Sequence, residues 1–314
     1  MFKRFSSVIL MAILAGLLIV YFIVRFSGTN DRTFRDKVLS FDPAVVTSIT
    51  IDDPKSMQEP VELRLSGEKW MVRSGVKEYP ADSNIVKGAL NTLSDMPTKR
   101  FAGKGKESWI KYEVTDTSGI KVTLKSSSKT VAEILIGKFT FNMPKDQQQS
   151  QFRQQRGDMT SFVRLADEKD VYAVDGYLRT TFSAKPDSYR YKNLSGVNAQ
   201  DITKMTVSKP GGLTVYDLST GKWTMNGMPA DSATTARYRS AVARLSGSKF
   251  VDPEMVRSAP AYTLRLEGNN FSPVDIMAYP VADTNIAYAI SSSVNPDAYF
   301  DGKTGGLFKR IWPD

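Results

Sequence analysis

The sequence has no cysteine and no histidine among its 314 residues. That excludes Cys and His nucleophiles, Ser-His-Asp triads, imidazole general bases, c-type haem attachment, disulfides and the usual zinc sites. It also excludes a lipidated N-terminal cysteine. No dense Lys/Arg stripe interleaved with stacking aromatics occurs, and no nucleic-acid-binding motif, so no nucleic-acid partner is expected. Phosphate-loop chemistry fails as well: Gly302-Lys303-Thr304 would need a glycine where Asp297 stands. Asp52-Asp53 ends a strand pattern beside Pro54 without spaced partners, which reads as a turn rather than a metal site. No cofactor and no metal is expected.

What is present is a folding chain of ordinary composition, 41% hydrophobic and 24% charged, long enough for two domains. Its net charge is +9, of which Lys3, Arg4 and Arg25 supply three. The remaining excess suits a solvated basic surface, with anionic lipid as the further contact such a surface favours.

The longest apolar run is Val8 to Val24, flanked by Lys3-Arg4 and Arg25. As a helix it would span roughly 26 Å, close to the hydrocarbon thickness of a bilayer. No small-x-small cleavage site follows, so the run is expected to remain as an anchor rather than a cleaved signal. Basic residues lie on both sides, and the positive-inside count does not orient the chain. By analogy with bacterial anchored proteins, residues 1–26 are expected as a single-pass anchor in the inner membrane, preferred over the outer. The following domains are then expected to be extracytoplasmic. Residues 27–38 are polar and read as a tether.

The remainder contains one pattern twice. Gly67-Glu68-Lys69-Trp70 precedes Pro80-Ala81-Asp82-Ser83, and Thr220-Gly221-Lys222-Trp223 precedes Pro229-Ala230-Asp231-Ser232. In each case alternating apolar residues predict strands before the tryptophan, and a helical stripe follows the Pro-Ala-Asp-Ser turn. The first stripe is Ile85, Val86, Ala89, Leu90, Leu93 and Met96; the second is Tyr238, Ala241, Val242 and Leu245. Asp82 or Ser83 can cap the first helix by accepting free N–H groups. Val45, Thr47, Ile49 and Ile51 are expected on one strand face, echoed by Thr203, Met205 and Val207. Tyr262 to Leu266 is matched to a strand beginning at Tyr112, and Ala287 to Ile290 to Val171–Val174. The expected fold class is α+β: an N-terminal transmembrane helix, then two tandem repeated α+β units with antiparallel sheets, at 39–193 and 194–314.

Residues 138–158 break the apolar period and carry Lys145, Arg153 and Arg156 among glutamines. A mobile loop is expected there, with those three residues as the candidate partner contact. Ser-x-x-Lys occurs at Ser66/Lys69, Ser126/Lys129 and Ser219/Lys222, a pairing that can support acyl transfer. All three fall in turn patterns, and no Ser-Asp-Asn or Lys-Thr-Gly element completes them, so ordinary turn chemistry is the expectation. The two tryptophans are expected in the core rather than as stacking platforms.

Several motifs carry a family resemblance. Phe41-Asp42-Pro43-Ala44-Val45-Val46, Trp70, Tyr79-Pro80-Ala81-Asp82-Ser83, Ile136-Gly137 and Val171-Tyr172-Ala173-Val174 resemble the bacterial domain-of-unknown-function 4340 family over about residues 38 to 195. The resemblance implies an anchored extracytoplasmic accessory of a gliding-motility-type ABC transporter, with that transporter's membrane subunits as partners. Joined to the missing catalytic side chains, it yields the expected function: a noncatalytic, membrane-anchored binding or scaffold protein. Two alternatives stand beside it. One is an envelope hydrolase or transferase using paired carboxylates, which need no histidine. The other is a passive periplasmic spacer.

Overall fold

A computed structural model describes residues 35–142, 158–218, 221–283, 285–286 and 288–313, together with Leu14, Gly16 and Leu17. The last three are helical, but the rest of the expected anchor lies outside the described residues. Among the described residues, no helix is long and apolar enough to cross a membrane.

The first half contains β1 (Lys37–Ser40), β2 (Ser48–Asp52), β3 (Val61–Ser66), β4 (Lys69–Ser74) and β5 (Lys77–Pro80). Helix α1 (Ser83–Ser94), β6 (Asp95–Pro97), β7 (Arg100–Lys104) and helix α2 (Gly105–Tyr112) follow. Then come β8 (Ile120–Ser126), β9 (Lys129–Asn142), β10 (Asp158–Leu165), β11 (Asp170–Asp175) and the one-turn helix α3 (Leu178–Thr181). The second half begins with β12 (Ile202–Lys209), β13 (Gly212–Asp217), β14 (Thr224–Met225) and β15 (Met228–Pro229). It continues through helix α4 (Ser232–Ala243), β16 (Phe250–Val251), β17 (Tyr262–Gly268), β18 (Val274–Pro280), β19 (Tyr288–Ser292), β20 (Asn295–Asp301) and helix α5 (Leu307–Ile311).

The protein is mostly β-sheet with few helices, so the α+β expectation holds in part: the antiparallel sheets are there, and helix is the smaller share. Each half offers only one helix of 12 residues, because the apolar stripe behind each Pro-Ala-Asp-Ser turn is three turns long. Two nine-stranded sheets dominate, ordered β5-β4-β3-β2-β8-β9-β10-β11-β7 and β15-β14-β13-β12-β17-β18-β19-β20-β16. The two orders match strand for strand, with β16 at the edge place of β7. By compactness the described residues divide into two units. One runs to Met57 and adds Ala89–Phe182; the other joins Gln58–Gly88 to the residues from Ser183 onward.

The local chemistry repeats with the order. The Ala81 N–H donates to the Trp70 carbonyl at 2.9 Å, and Ala230 donates to Trp223 at 3.0 Å. The carboxylate of Asp82 accepts from the Asn84 N–H at 2.9 Å, and that of Asp231 from Thr234 at 2.7 Å. Each caps its helix and meets orphan donors of the first turn. Ahead of β2 and β12, Asp42 and Asn198 accept from Ala44 and Gln200 in the same way. Trp70 is 4% exposed and Trp223 8%, so both indoles are core residues. Trp223 packs with Met205, Val242, Ile276, Phe300 and Trp312 in the core of the second sheet. A separate core holds Tyr112, Val114, Leu135, Phe162 and Val171. Each large apolar side chain so buried contributes roughly 1.5–3 kcal/mol.

Several sequence expectations shift by a turn or a strand. Val45 belongs to a 3-10 turn over Pro43–Val45 and is exposed, whereas Val46, Ile49 and Ile51 are buried. Ile85 faces solvent, and the buried stripe of α1 is Val86, Ala89, Leu90 and Leu93. Met96 is buried in β6 rather than in the helix, paired with Leu39. Tyr112 ends α2 rather than starting a strand, since residues 100–112 fold into β7 and that helix. By sheet position, β17 therefore corresponds to β8, β19 to β10 and β20 to β11. Ala287 to Ile290 is thus not the counterpart of Val171–Val174.

Candidate functional site

The β9–β10 hairpin is the element that carries the unexplained surface. Gly137 lets β9 run directly beneath the backbone after α2. A Cβ there would lie 2.1 Å from the Tyr112 carbonyl oxygen and 2.7 Å from Val114 Cγ1. Beyond that crossing the strands stay paired, with Phe139 opposite Ser161, Phe141 opposite Met159 and Asn142 opposite Asp158. Residues 138–142 and Asp158, expected within the loop, are thus strand. Lys145, Arg153 and Arg156 lie outside the described residues.

Phe139 and Phe141 are two residues apart and so point to one face of the strand. They are 38% and 48% exposed, and Met159, opposite Phe141, is 45% exposed. Tyr177 joins them, its ring centroid 4.1 Å from that of Phe139 and itself 41% exposed. Its position is set by a network below it. The Gly176 N–H donates to the Met159 carbonyl at 2.9 Å, and the Ser161 hydroxyl donates to the Gly176 carbonyl at 2.7 Å. The Leu178 N–H in turn donates to the Ser161 hydroxyl at 3.1 Å. Four large apolar side chains therefore form a contiguous exposed patch on an ordered support. Exposed apolar residues are ordinary when scattered singly, and this cluster is the candidate contact surface among the described residues.

Beside the patch, Lys99 reaches two strands, β10 and β11. Its ammonium donates to the Asp158 carboxylate, to Asp175 at 3.0 Å and to the Thr160 hydroxyl at 3.3 Å. The hydrogen bond to Asp158 leads in raising the lysine above its ordinary value, opposed by burial and reinforced by Asp175. This tie holds the ends of β10 and β11 together beneath the hairpin. It is a structural clasp, since all three partners are satisfied by the lysine.

The other candidates fall elsewhere. Ser66 stands opposite Lys69 across the β3–β4 turn, and Ser126 opposite Lys129 across the β8–β9 turn. Both pairs are adjacent strand ends, as the turn reading expects; Ser219 lies outside the described residues. Asp53 accepts from the Lys55 N–H at 3.1 Å, closing the turn after β2. Among the described residues, no group of three or more acidic side chains could hold a metal ion.

The sequence reading missed Phe139, Phe141, Met159, Tyr177 and Lys99. The signal for the first two was available: alternation continues through Lys138-Phe139-Thr140-Phe141, inside the segment expected as a loop. Tyr177 and Lys99 reach the site only through sheet order, which no local pattern contains.

Two nine-stranded antiparallel sheets of one strand order define a β-rich protein in class. The family is more specific. The chain matches the family described as a domain of unknown function, DUF4340, over residues 70–265, more than half its length, and it belongs to that family. The matched span runs from Trp70 into β17 and so takes in parts of both halves, where the sequence resemblance had favoured the first. No curated protein and no solved structure matches the chain.

Proposed function

We propose that this chain is a noncatalytic, membrane-anchored extracytoplasmic binding or scaffold protein, an accessory of a gliding-motility-type ABC transporter. It is a tandem duplication of one β-rich unit behind an N-terminal anchor in the inner membrane. The observation that carries the reading is the exposed face of Phe139, Phe141, Met159 and Tyr177 at the β9–β10 hairpin. Its occupant is an integral membrane subunit of the transporter, with an apolar surface to cover the aromatic rings. Aromatic side chains are enriched in the centres of such contacts because they bury large area at small entropic cost. Lys145, Arg153 and Arg156, which fall between β9 and β10 in the sequence, are the candidate source of positive charge for that contact. The repeated caps, tryptophan carbonyl bonds and strand order support the duplication.

The reading is tested by extracting the tagged full-length chain from its own membranes in several mild detergents. Recovery of the same transporter subunits in each, lost on Phe139→Ala/Phe141→Ala, is expected. A chain that emerges alone under every condition removes the proposal.

A further inference from the structure

The end of β20 carries a feature that the corresponding place in the first sheet does not. In both halves a glycine after the strand donates its N–H to the start of the neighbouring strand: Gly176 to Met159 at 2.9 Å, and Gly302 to Tyr288 at 3.0 Å. Six residues further on, each half has a phenylalanine, Phe182 and Phe308. In the first half α3 starts two residues after the glycine, and Phe182 is fully buried. In the second half a turn containing Gly305 and Gly306, both at φ 64°, delays α5 to Leu307. L side chains rarely adopt that backbone, and the two glycines make the turn accessible. As a result Phe308 is only partly buried, and a hollow of about 310 Å³ opens beside it.

Ile286, Tyr288 and Phe308 wall the hollow, and Lys303 and Lys309 stand at its rim. The rings of Tyr288 and Phe308 are stacked at 4.5 Å with a 10° angle between planes. Tyr262 braces both edge-on, at 5.2 and 5.0 Å. The hydrogen bond with Tyr262 leads in pushing the Tyr288 phenol up from its ordinary value, with burial adding to it. The walls are therefore uncharged at neutral pH. Neither Lys303 nor Lys309 has an ion-pair partner among the described residues. The volume lies at the lower end of the roughly 300–1,000 Å³ typical of small-molecule sites, which are also mainly apolar with few charged groups.

We propose that this hollow binds an amphiphilic carboxylate of the fatty-acid type. The apolar chain lies along Tyr288, Phe308 and Ile286, and the carboxylate meets the ammonium groups of Lys303 and Lys309. Aromatic faces alone would also accept a quaternary ammonium. The two lysines at the rim repel a cation and select the anion. A short carboxylate such as acetate has the charge but leaves the apolar walls uncovered, so chain length is part of recognition. The site is independent of the hairpin contact and exists whether or not that contact does.

Photoaffinity labelling tests it on the full-length chain in native membranes, using a diazirine-bearing dodecanoate. Labelling is expected on peptides containing Ile286, Tyr288 or Phe308. Excess dodecanoate should compete, whereas dodecyltrimethylammonium and acetate should not. The exposed charge-reversal variant Lys303→Glu/Lys309→Glu should keep the wild-type melting profile and lose at least tenfold of the label. Labelling spread evenly over the chain, equal competition by the cationic amphiphile, or undiminished labelling of the double variant would overturn the proposal.

Discussion

Replacing Gly137 by alanine tests whether β9 truly threads beneath the backbone that follows α2. The added methyl would sit 2.1 Å from the Tyr112 carbonyl oxygen, 2.7 Å from Val114 Cγ1 and 3.1 Å from the Glu113 carbonyl carbon. Carbon contacts normally settle at about 3.5–4.0 Å, so the overlap exceeds what a rotamer change relieves. Two of the three obstructing atoms are backbone, and that backbone is itself fixed. The Val114 N–H donates to Trp109 at 2.9 Å, and the Arg164 guanidinium donates to the Val114 carbonyl at 3.0 Å. Overpacking of this kind costs typically 1–3 kcal/mol, and the backbone partners put Gly137→Ala at the upper end, about 3 kcal/mol. At roughly 2–4 °C per kcal/mol for a domain of this size, Tm should fall by about 6–12 °C. Gly88→Ala is the control. A Cβ there meets nothing within 4 Å, and in the exposed interior of α1 it should stabilise by about 0.5–1 kcal/mol. Both are read by urea unfolding of the full-length chain followed by circular dichroism. Gly137→Ala within 0.5 kcal/mol of wild type, alongside a normal Gly88→Ala, would refute the threading.

Asp82→Ala should destabilise by about 1 kcal/mol through loss of the α1 cap, measurable as a lower urea midpoint. The hydroxyl and N–H of Thr234 hold the Asp231 carboxyl below its ordinary value. A depressed carboxylate contributes above the unfolded pKa of about 4 and loses that contribution as pH falls through the folded value. Asp231→Asn keeps a cap, so the wild-type advantage over it should shrink between pH 6 and pH 3; an unchanged gap would contradict the linkage. Arg164 is buried, donates to four carbonyl groups and lies 4.1 Å from the Trp109 ring. Arg164→Met strands those carbonyls and should cost about 3 kcal/mol in the same assay. Phe139→Ala/Phe141→Ala removes exposed rings and should leave the urea midpoint within about 0.5 kcal/mol of wild type.

Much of the fold was legible because it rests on short-range chemistry. The Trp70 strand, the short strand just after Trp223, the Asp82 and Asp231 caps and the alternation of Ile49 and Ile51 all act within a few residues. The errors have a common physical origin. Met96 stays buried after its helix has ended, because β6 returns it to the interior through pairing with β1. Apolar spacing records burial and not the element that achieves it. Tyr112 alternates with Val114 as strand residues would, yet a helix delivers it to the core. The correspondence of β19 with β10 depends on sheet order, for which sequence similarity was a poor guide after the halves diverged. The exposed aromatic patch was half legible. Phe139 and Phe141 follow the strand period, whereas Tyr177 meets them from 38 residues away through the Gly176–Met159 and Ser161 bonds.

The central claim is that the hairpin face meets a membrane-embedded protein partner. The direct measurement places a photo-cross-linking amino acid at Phe141 in the full-length chain, with Met225, equally an exposed strand residue of the second sheet, as the comparison site. Irradiation of intact membranes should yield one discrete higher-mass adduct from position 141, containing a transporter membrane subunit, and none from position 225. Cross-links from position 141 only to lipid, or the same adducts from both positions, would contradict the account.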